Sequence, residues 1–543
     1  MNKFKTFGVM LDCSRNAVPN LDFLKTFIDD LAKMGYNSLQ LYTEDTYEID
    51  GEPMFGYLRG RFTKEEMKEI NAYAKTRGVE MIPCIQTLAH LNCAVRWYPY
   101  GSYTDCDDIL LIGDDRTYAL IDKMFATMRE CYDTKYINIG MDEAHNVGLG
   151  KYLSKHGFQN RFDIILGHLK KVADIAKKYD FTCIMWSDMW FRLSNNGDYY
   201  SDKPFNIPQN IKDSVPDNVA LCYWDYYTKN KAVVDNMLKA HKEFKAETWF
   251  AGGAWSWGGF TPSNYASMES SDLTIRACIE NGVDNVFITM WGDNGAETSK
   301  CAVYPALFQA AQIAQGIDDV AVMNENFKKI FGVSMEDYLL IDSANRIQEM
   351  PTLYNYKNSS QNNPSKYMLY IDPFLGILDV SVNLDAEKYY ASYAEELKKL
   401  TTNDKFGYLF NTQQKLCAVL ADKYALGVKT RTAYKAGDKE TLKKLVPVYE
   451  GLEQKILDFY SAFKAQWFKE NKPFGFEVQD ARIGGLILRV KHCKERLTAY
   501  LNGEISDILE LNEKIESQWL DPVHDGKTTY ENNYVRTITA CVP

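Results

Sequence analysis

Two carboxylates stand side by side in YINIGMDEAH, Asp142 and Glu143, directly after an apolar, β-branched run. In a pocket of low dielectric such a pair separates its titrations, one group staying ionised while its neighbour keeps a proton near neutral pH. That combination supplies an acid catalyst beside an orienting anion. The dipeptide alone says little, because most Asp-Glu pairs are solvated loop charges; its place at the end of a strand-like run gives it weight. Trp186, Trp224, Trp255 and Trp291 close four successive runs of the same kind, and four of the ten tryptophans at equivalent edges is hard to attribute to core filling. Sugar rings offer apolar C–H faces that stack on indole, while their hydroxyls want charged or amide partners. A mouth lined with Trp and with Asp or Arg suits a monosaccharide.

The elements that position these residues follow a regular plan. Up to about residue 320, eight short apolar runs alternate with segments of helical period: TFGVMLD, NSLQLYT, VEMIPCIQ, YINIGM, FTCIMW, VALCYW, ETWFAGG and NVFITMW. Between the first two, Leu24, Phe27, Ile28 and Leu31 recur at three and four residues, and Gly35 supplies a stop. After the second, Thr63 and Glu66 have capping-box spacing, and Gly78 closes the helix that follows. Eight parallel strands with intervening helices fit a (β/α)8 barrel. An open, doubly wound sheet is the alternative. The barrel is preferred because every run ends in residues able to do chemistry: Asp12 to Arg15, Glu44 and Asp45, His90, Asp142 and Glu143, Trp186, Trp224 to Tyr226, Trp255 to Trp257, and Trp291 to Asp293. A barrel brings all eight ends to one mouth, whereas an open sheet strings them along an edge. The expected division is therefore a barrel over residues 1–320 and a mainly α-helical domain over 321–543, where Lys- and Glu-rich helical periods take over.

Composition excludes several classes. The 543 residues are 46% hydrophobic and 25% charged, ordinary for a folded globular protein. A net charge of -11 argues against nucleic acid, which needs a surplus of Lys and Arg on the binding face. No apolar run approaches a membrane span. The N-terminal stretch MNKFKTFGVMLDCSRN is interrupted by Asp12 and Arg15 rather than built like a secretion signal. Twelve cysteines at irregular spacing, several inside apolar runs such as Cys84 and Cys183, read as buried small hydrophobes in a reducing, cytoplasmic compartment. No Cys-x-x-Cys occurs, and His145, His156 and His168 are too scattered for a metal site; helix or surface positions are expected for them. Neither cofactor nor metal is expected. Asp480 and Arg482 read as part of an ordinary ion pair.

LDCSRNAVP, TEDTYEID, the TLAH that ends at His90, IGMDEAH and TMWGD together resemble glycoside hydrolase family 20, the β-N-acetylhexosaminidases, in its compact branch with a helical C-terminal domain. The resemblance implies an exo-acting, retaining enzyme that removes terminal β-linked GlcNAc or GalNAc, the sugar's own acetamido oxygen attacking its anomeric carbon to give an oxazoline intermediate. It implies Glu143 as acid and then base, and Asp142 as the anion that holds the acetamido N–H. Arg15 would bind outer hydroxyls, His90 would support the acid, and Glu44 or Asp45 would orient the His90 ring. Trp291 would floor the sugar and Asp293 would grip its hydroxyls. Trp186 and Trp224 would wall the acetamido pocket, with Trp255 a looser match. Larger members carry a tyrosine after strand seven for the acetamido carbonyl; this chain reads FAGGAWSWGGF there, and Tyr226, two residues past Trp224, is the replacement. The expected partner is a glycan or glycoconjugate ending in N-acetylhexosamine, with a homodimer allowed. Two rivals remain: an enzyme like the O-GlcNAc hydrolases, which use two aspartates where this chain has Asp-Glu, and a non-catalytic barrel that binds N-acetylhexosamine.

Overall fold

The computed structural model describes residues 2–357, 359, 361–517 and 530–541. Its eight strands follow the eight apolar runs: β1 (Thr6–Asp12), β2 (Ser38–Tyr42), β3 (Glu80–Cys84), β4 (Tyr136–Asn138), β5 (Thr182–Trp186), β6 (Val219–Trp224), β7 (Thr248–Gly253) and β8 (Asn285–Met290). All pair in parallel, each with the next, and β8 returns to β1 with Asn285 opposite Thr6, so the sheet is a closed barrel and not an open one. The runs are apolar throughout rather than alternating because both faces are covered, one by the barrel interior and one by helices.

Those helices form for the reasons read from the sequence. Leu21–Met34 buries Leu24, Phe27, Ile28 and Leu31 and stops where Gly35 turns left-handed at φ 100. Lys64–Thr76 starts at a complete capping box, Thr63 accepting from the Glu66 amide while the Glu66 side chain accepts from Thr63. Inside the barrel, alternate residues meet across it. Gln40 accepts from Asn138 at 3.3 Å, Met10 sulfur lies 3.9 Å from Cys84, and Trp249 meets Tyr136 and Phe287 at ring distances of 5.2 and 6.3 Å. The same alternation carries Tyr42, Trp186, Trp224 and Trp291 to the C-terminal mouth.

The chain divides into two compact units. The first is Met1–Ala254, Ser267–Trp291 and Ala306–Asp319; the second is Trp255–Ala266, Gly292–Pro305 and Val320–Pro543. The second is built mainly on the helices Ala386–Lys398, Gly407–Lys423, Lys439–Glu470 and Phe476–Asn502. Its interior holds ions paired or bonded to backbone: Lys423 Nζ donates to the Met368 and Ile371 carbonyls at 3.0 and 2.7 Å, and Arg431 meets Asp379 at 3.1 Å. Arg482 pairs with Glu297 at 3.0 Å, while Asp480 accepts from Tyr460, because residues two apart on a helix do not face each other. No helix among the described residues is long and apolar enough to cross a membrane.

Candidate active site

The mouth of the barrel is shaped by backbone that most side chains avoid. Asn16, Glu44, His90, Met141 and Glu143 all adopt positive φ, between 47 and 81, just past the ends of β1 to β4. Each such turn costs on the order of 1 kcal/mol outside glycine and persists only where the surroundings hold it. β4 ends at Asn138, so Asp142 and Glu143 lie on the turn beyond the strand, and the reversals at Met141 and Glu143 re-aim both.

Asp142 is buried, and both of its oxygens are engaged. Oδ1 accepts from Gln86 Nε2 at 2.8 Å, and Oδ2 lies 3.1 Å from His90 Nε2. Burial by itself would lift the carboxyl; the His90 charge and the Gln86 bond outweigh it and hold Asp142 below the ordinary aspartate range. On His90 burial opposes the charge, but attraction to Asp142 and then to Glu44 prevails and lifts the imidazole to about 10. The pair is an imidazolium facing a carboxylate at neutral pH. Gln86 Oε1 also accepts the Met141 amide at 3.2 Å, and its Nε2 also donates to Tyr42 Oη at 2.9 Å, so one amide locks the turn. Glu143 is more open, with 40% of its side chain exposed, 3.8 Å from His90 Nε2 and 3.7 Å from Arg192 Nη2.

Around this pair the structure gathers most of the expected residues. Arg15 Nη2 meets Glu44 Oε1 at 3.0 Å, its Nε donates to Ser14 Oγ at 3.1 Å, and Tyr42 donates to the same Glu44 oxygen at 3.1 Å. Trp291 packs edge-on to Tyr42 at 4.8 Å and lies 6.1 Å from Trp186, whose indole N–H has no hydrogen-bond partner among the described residues. Trp224 stacks on Tyr226 at 5.2 Å, and the Tyr226 hydroxyl is hydrogen-bonded to the Trp291 and Thr289 side chains.

Three placements differ from expectation or stand apart. Asp45 stands apart from Glu44: it is fully buried and takes a 2.9 Å bond from Arg59 Nε, past the left-handed turn at Glu44. Arg59 in turn reaches the Ser14 carbonyl, so Asp45 props the Arg15 loop from behind. Asp45 does not orient His90, which faces Asp142 and feels Glu44. Trp255 and Asp293 belong to the second unit. There Trp255 stacks on Trp257 at 4.5 Å, and Asp293 Oδ2 accepts from Asn532 at 3.4 Å.

Sequence reasoning missed Gln86, Asp188 and Arg192. Gln86 ends the third apolar run, and Asp188 lies two residues past Trp186, where the chain has already turned into a helix. The end of the run was the available signal for Gln86. Among the described residues no three His, Cys, Asp or Glu gather as metal ligands.

Two family models match the chain: the glycosyl hydrolase family 20 catalytic domain over residues 4–242 and the Glycoside Hydrolase 20C C-terminal domain over residues 336–529. Among curated relatives, Beta-hexosaminidase 3 of Arabidopsis thaliana is 23% identical over 208 residues, 36% of this chain and 38% of that protein. Hexosaminidase D of Homo sapiens is 22% identical over 222 residues, 39% of this chain and 43% of that protein. The chain thus spans about two fifths of the length of these relatives. Among solved structures, an exo beta-N-acetylglucosaminidase from Vibrio harveyi in complex with N-acetylglucosamine is 15% identical with a TM-score of 0.48, covering 63% of this chain and 59% of that one.

Proposed function

Since this chain belongs to glycoside hydrolase family 20, we propose that it hydrolyses terminal β-linked N-acetylhexosamine by substrate-assisted catalysis, with net retention at the anomeric carbon. The observation that carries the reading is the pairing of a buried, ionised Asp142, gripped by His90 and Gln86, with the more exposed Glu143 beside it. A single anion held on two sides suits a partner that needs steadying rather than a carbon that needs attacking.

In the first step the acetamido oxygen attacks C1, the bond from C1 to the leaving oxygen breaks, and Glu143 gives that oxygen its proton. Positive charge grows on the acetamido nitrogen, and Asp142 stabilises it through the N–H. In the second step Glu143 takes a proton from water, the hydroxide forms its bond to C1 from the face the aglycone left, and the oxazoline ring opens. No enzyme nucleophile is required. Arg15 holds outer hydroxyls with a fork of donors that Glu44 fixes in place. Trp186, Trp224 and Trp291 enclose the ring and its N-acetyl group, and the Tyr226 hydroxyl serves the acetamido carbonyl.

The purified protein assayed against 4-nitrophenyl β-glycosides of GlcNAc, GalNAc and glucose tests this. Cleavage of either N-acetyl sugar with glucose refused is the expected result. Equal cleavage of glucose would overturn the assisted mechanism, and no cleavage of any would favour the sugar-binding alternative.

A further inference from the structure

Past β5 the chain carries an ion pair to which the hydrolytic reading assigns no task. Asp188 opens the helix Asp188–Ser194 and is fully buried. Ser187 pins the turn before it, its Oγ lying 2.9 Å from the Cys222 carbonyl and 2.7 Å from His241 Nε2. One Asp188 oxygen, Oδ2, accepts both the Glu143 amide and Arg192 Nε, each at 3.1 Å. The other, Oδ1, has no hydrogen-bond partner among the described residues. Arg192, one helical turn on, faces the same way. Its guanidinium lies over the Tyr199 and Trp224 rings at 5.6 and 5.8 Å and brings Nη2 to 3.7 Å from Glu143 Oε1. His90 Nε2 stands 3.8 Å from the opposite oxygen, Oε2. The Glu143 carboxyl therefore sits between two cations, one to each oxygen.

We infer that Asp188 and Arg192 are positioning residues for the acid-base carboxyl of Glu143, Asp188 fixing its backbone and Arg192 its side chain. The inference rests on the hydrolase reading above. Glu143 holds φ 49, which needs an external grip, and the grip observed is the bond from its amide to Asp188. A glutamate that hands its proton to a basic leaving oxygen must sit within reach of it, so a fixed carboxyl counts most where the aglycone leaves poorly.

An ion pair kept only for stability would be better satisfied than this one. Burial first, then the nearby Asp142 and Glu143 charges, push Asp188 up to about 7 against the pull of Arg192; Tyr199 is a further titratable neighbour. A carboxyl raised in the fold lends stability that is complete below its unfolded value and is gone once pH passes the folded one. At pH 8 the charged Asp188 is a burden on the fold, retained beside the reacting carboxyl.

The test is Asp188→Asn and Arg192→Met, assayed on 4-nitrophenyl β-GlcNAc and on methyl β-GlcNAc, whose leaving group needs the acid. We expect kcat on the methyl glycoside to fall about 10- to 100-fold and on the nitrophenyl glycoside less than about 3-fold, with KM little changed. Equal losses on both substrates, or none on either, overturn the proposal while leaving the hydrolase reading intact. A wild-type protein that cleaves neither substrate removes the hydrolase reading and this proposal with it.

Discussion

Asp142 and Glu143 are neighbours in sequence with opposite surroundings, and their proposed roles follow from that contrast. Asp142 is buried, bonded to Gln86 and faced by the His90 imidazolium, whereas Glu143 opens to the mouth. Asp142→Asn keeps the shape and removes the charge; its amide would present N–H groups to an acetamido N–H and to a cationic His90. We expect kcat/KM on 4-nitrophenyl β-GlcNAc to drop about 10²- to 10³-fold, the range for losing one electrostatic stabiliser. Glu143→Gln should leave the affinity for GlcNAc in place and cut hydrolysis of unactivated glycosides by about 10²- to 10⁴-fold. An Asp142→Asn protein with wild-type rates would rule out the assisted mechanism, and a Glu143→Gln protein with wild-type rates on methyl β-GlcNAc would remove Glu143 from the acid role.

At the scale of elements, the end of β4 is the delicate place. Gly140 has φ +70, and a Cβ built there meets Gln86 Oε1 at 1.9 Å. Gln86 is fully buried and bonded to Met141, Tyr42 and Asp142, so it has nowhere to retreat. Gly140→Ala should therefore cost about 2 to 4 kcal/mol and lower kcat at least about 10-fold by releasing Asp142. Gly78→Ala, at the same φ with nothing within 4 Å of its Cβ, should cost only about 1 kcal/mol and leave kcat alone. Equal behaviour of the two variants in unfolding and turnover assays would show that Gln86 does not lock the site. The strands were legible because eight β-branched and aromatic runs recur with helical periods between them, and the Thr63 cap and Gly35 stop were legible from residue type. The turn that parts Asp45 from Glu44 was hidden for a physical reason. Past a strand's end a single left-handed residue, such as Glu44 or Glu143, redirects every following side chain, and neither residue is a type that announces that conformation.

Over the whole molecule, buried titratable groups pull stability in opposite directions. His168 was expected at a helix or surface position; it lies on the helix Arg161–Lys178 but is fully buried, Nε2 donating to the Thr87 carbonyl at 2.9 Å and Nδ1 3.1 Å from the Tyr118 hydroxyl. His241 is buried likewise, with Nδ1 2.7 Å from the Met237 carbonyl. Burial lowers both imidazoles to about 4. Below about 6.5 the unfolded chain gains a proton that the fold refuses, so stability falls as pH drops from about 6.5 to 4, by on the order of 3 kcal/mol for each group. Burial raises Asp188 to about 7, and Asp342 and Asp379 each to about 6, and these carboxyls act the other way across much of the same range. The net slope mixes both signs, so a histidine's share shows only as a difference between two proteins. His168→Gln keeps a donor for Thr87 and an acceptor for Tyr118 but cannot be protonated. Denaturant unfolding of both proteins at steps from pH 7 to 4 should show the wild-type advantage shrinking by up to about 3 kcal/mol toward pH 4. Parallel curves would mean that His168 takes up its proton inside the fold, and that the bond to Thr87 does not depend on a neutral ring.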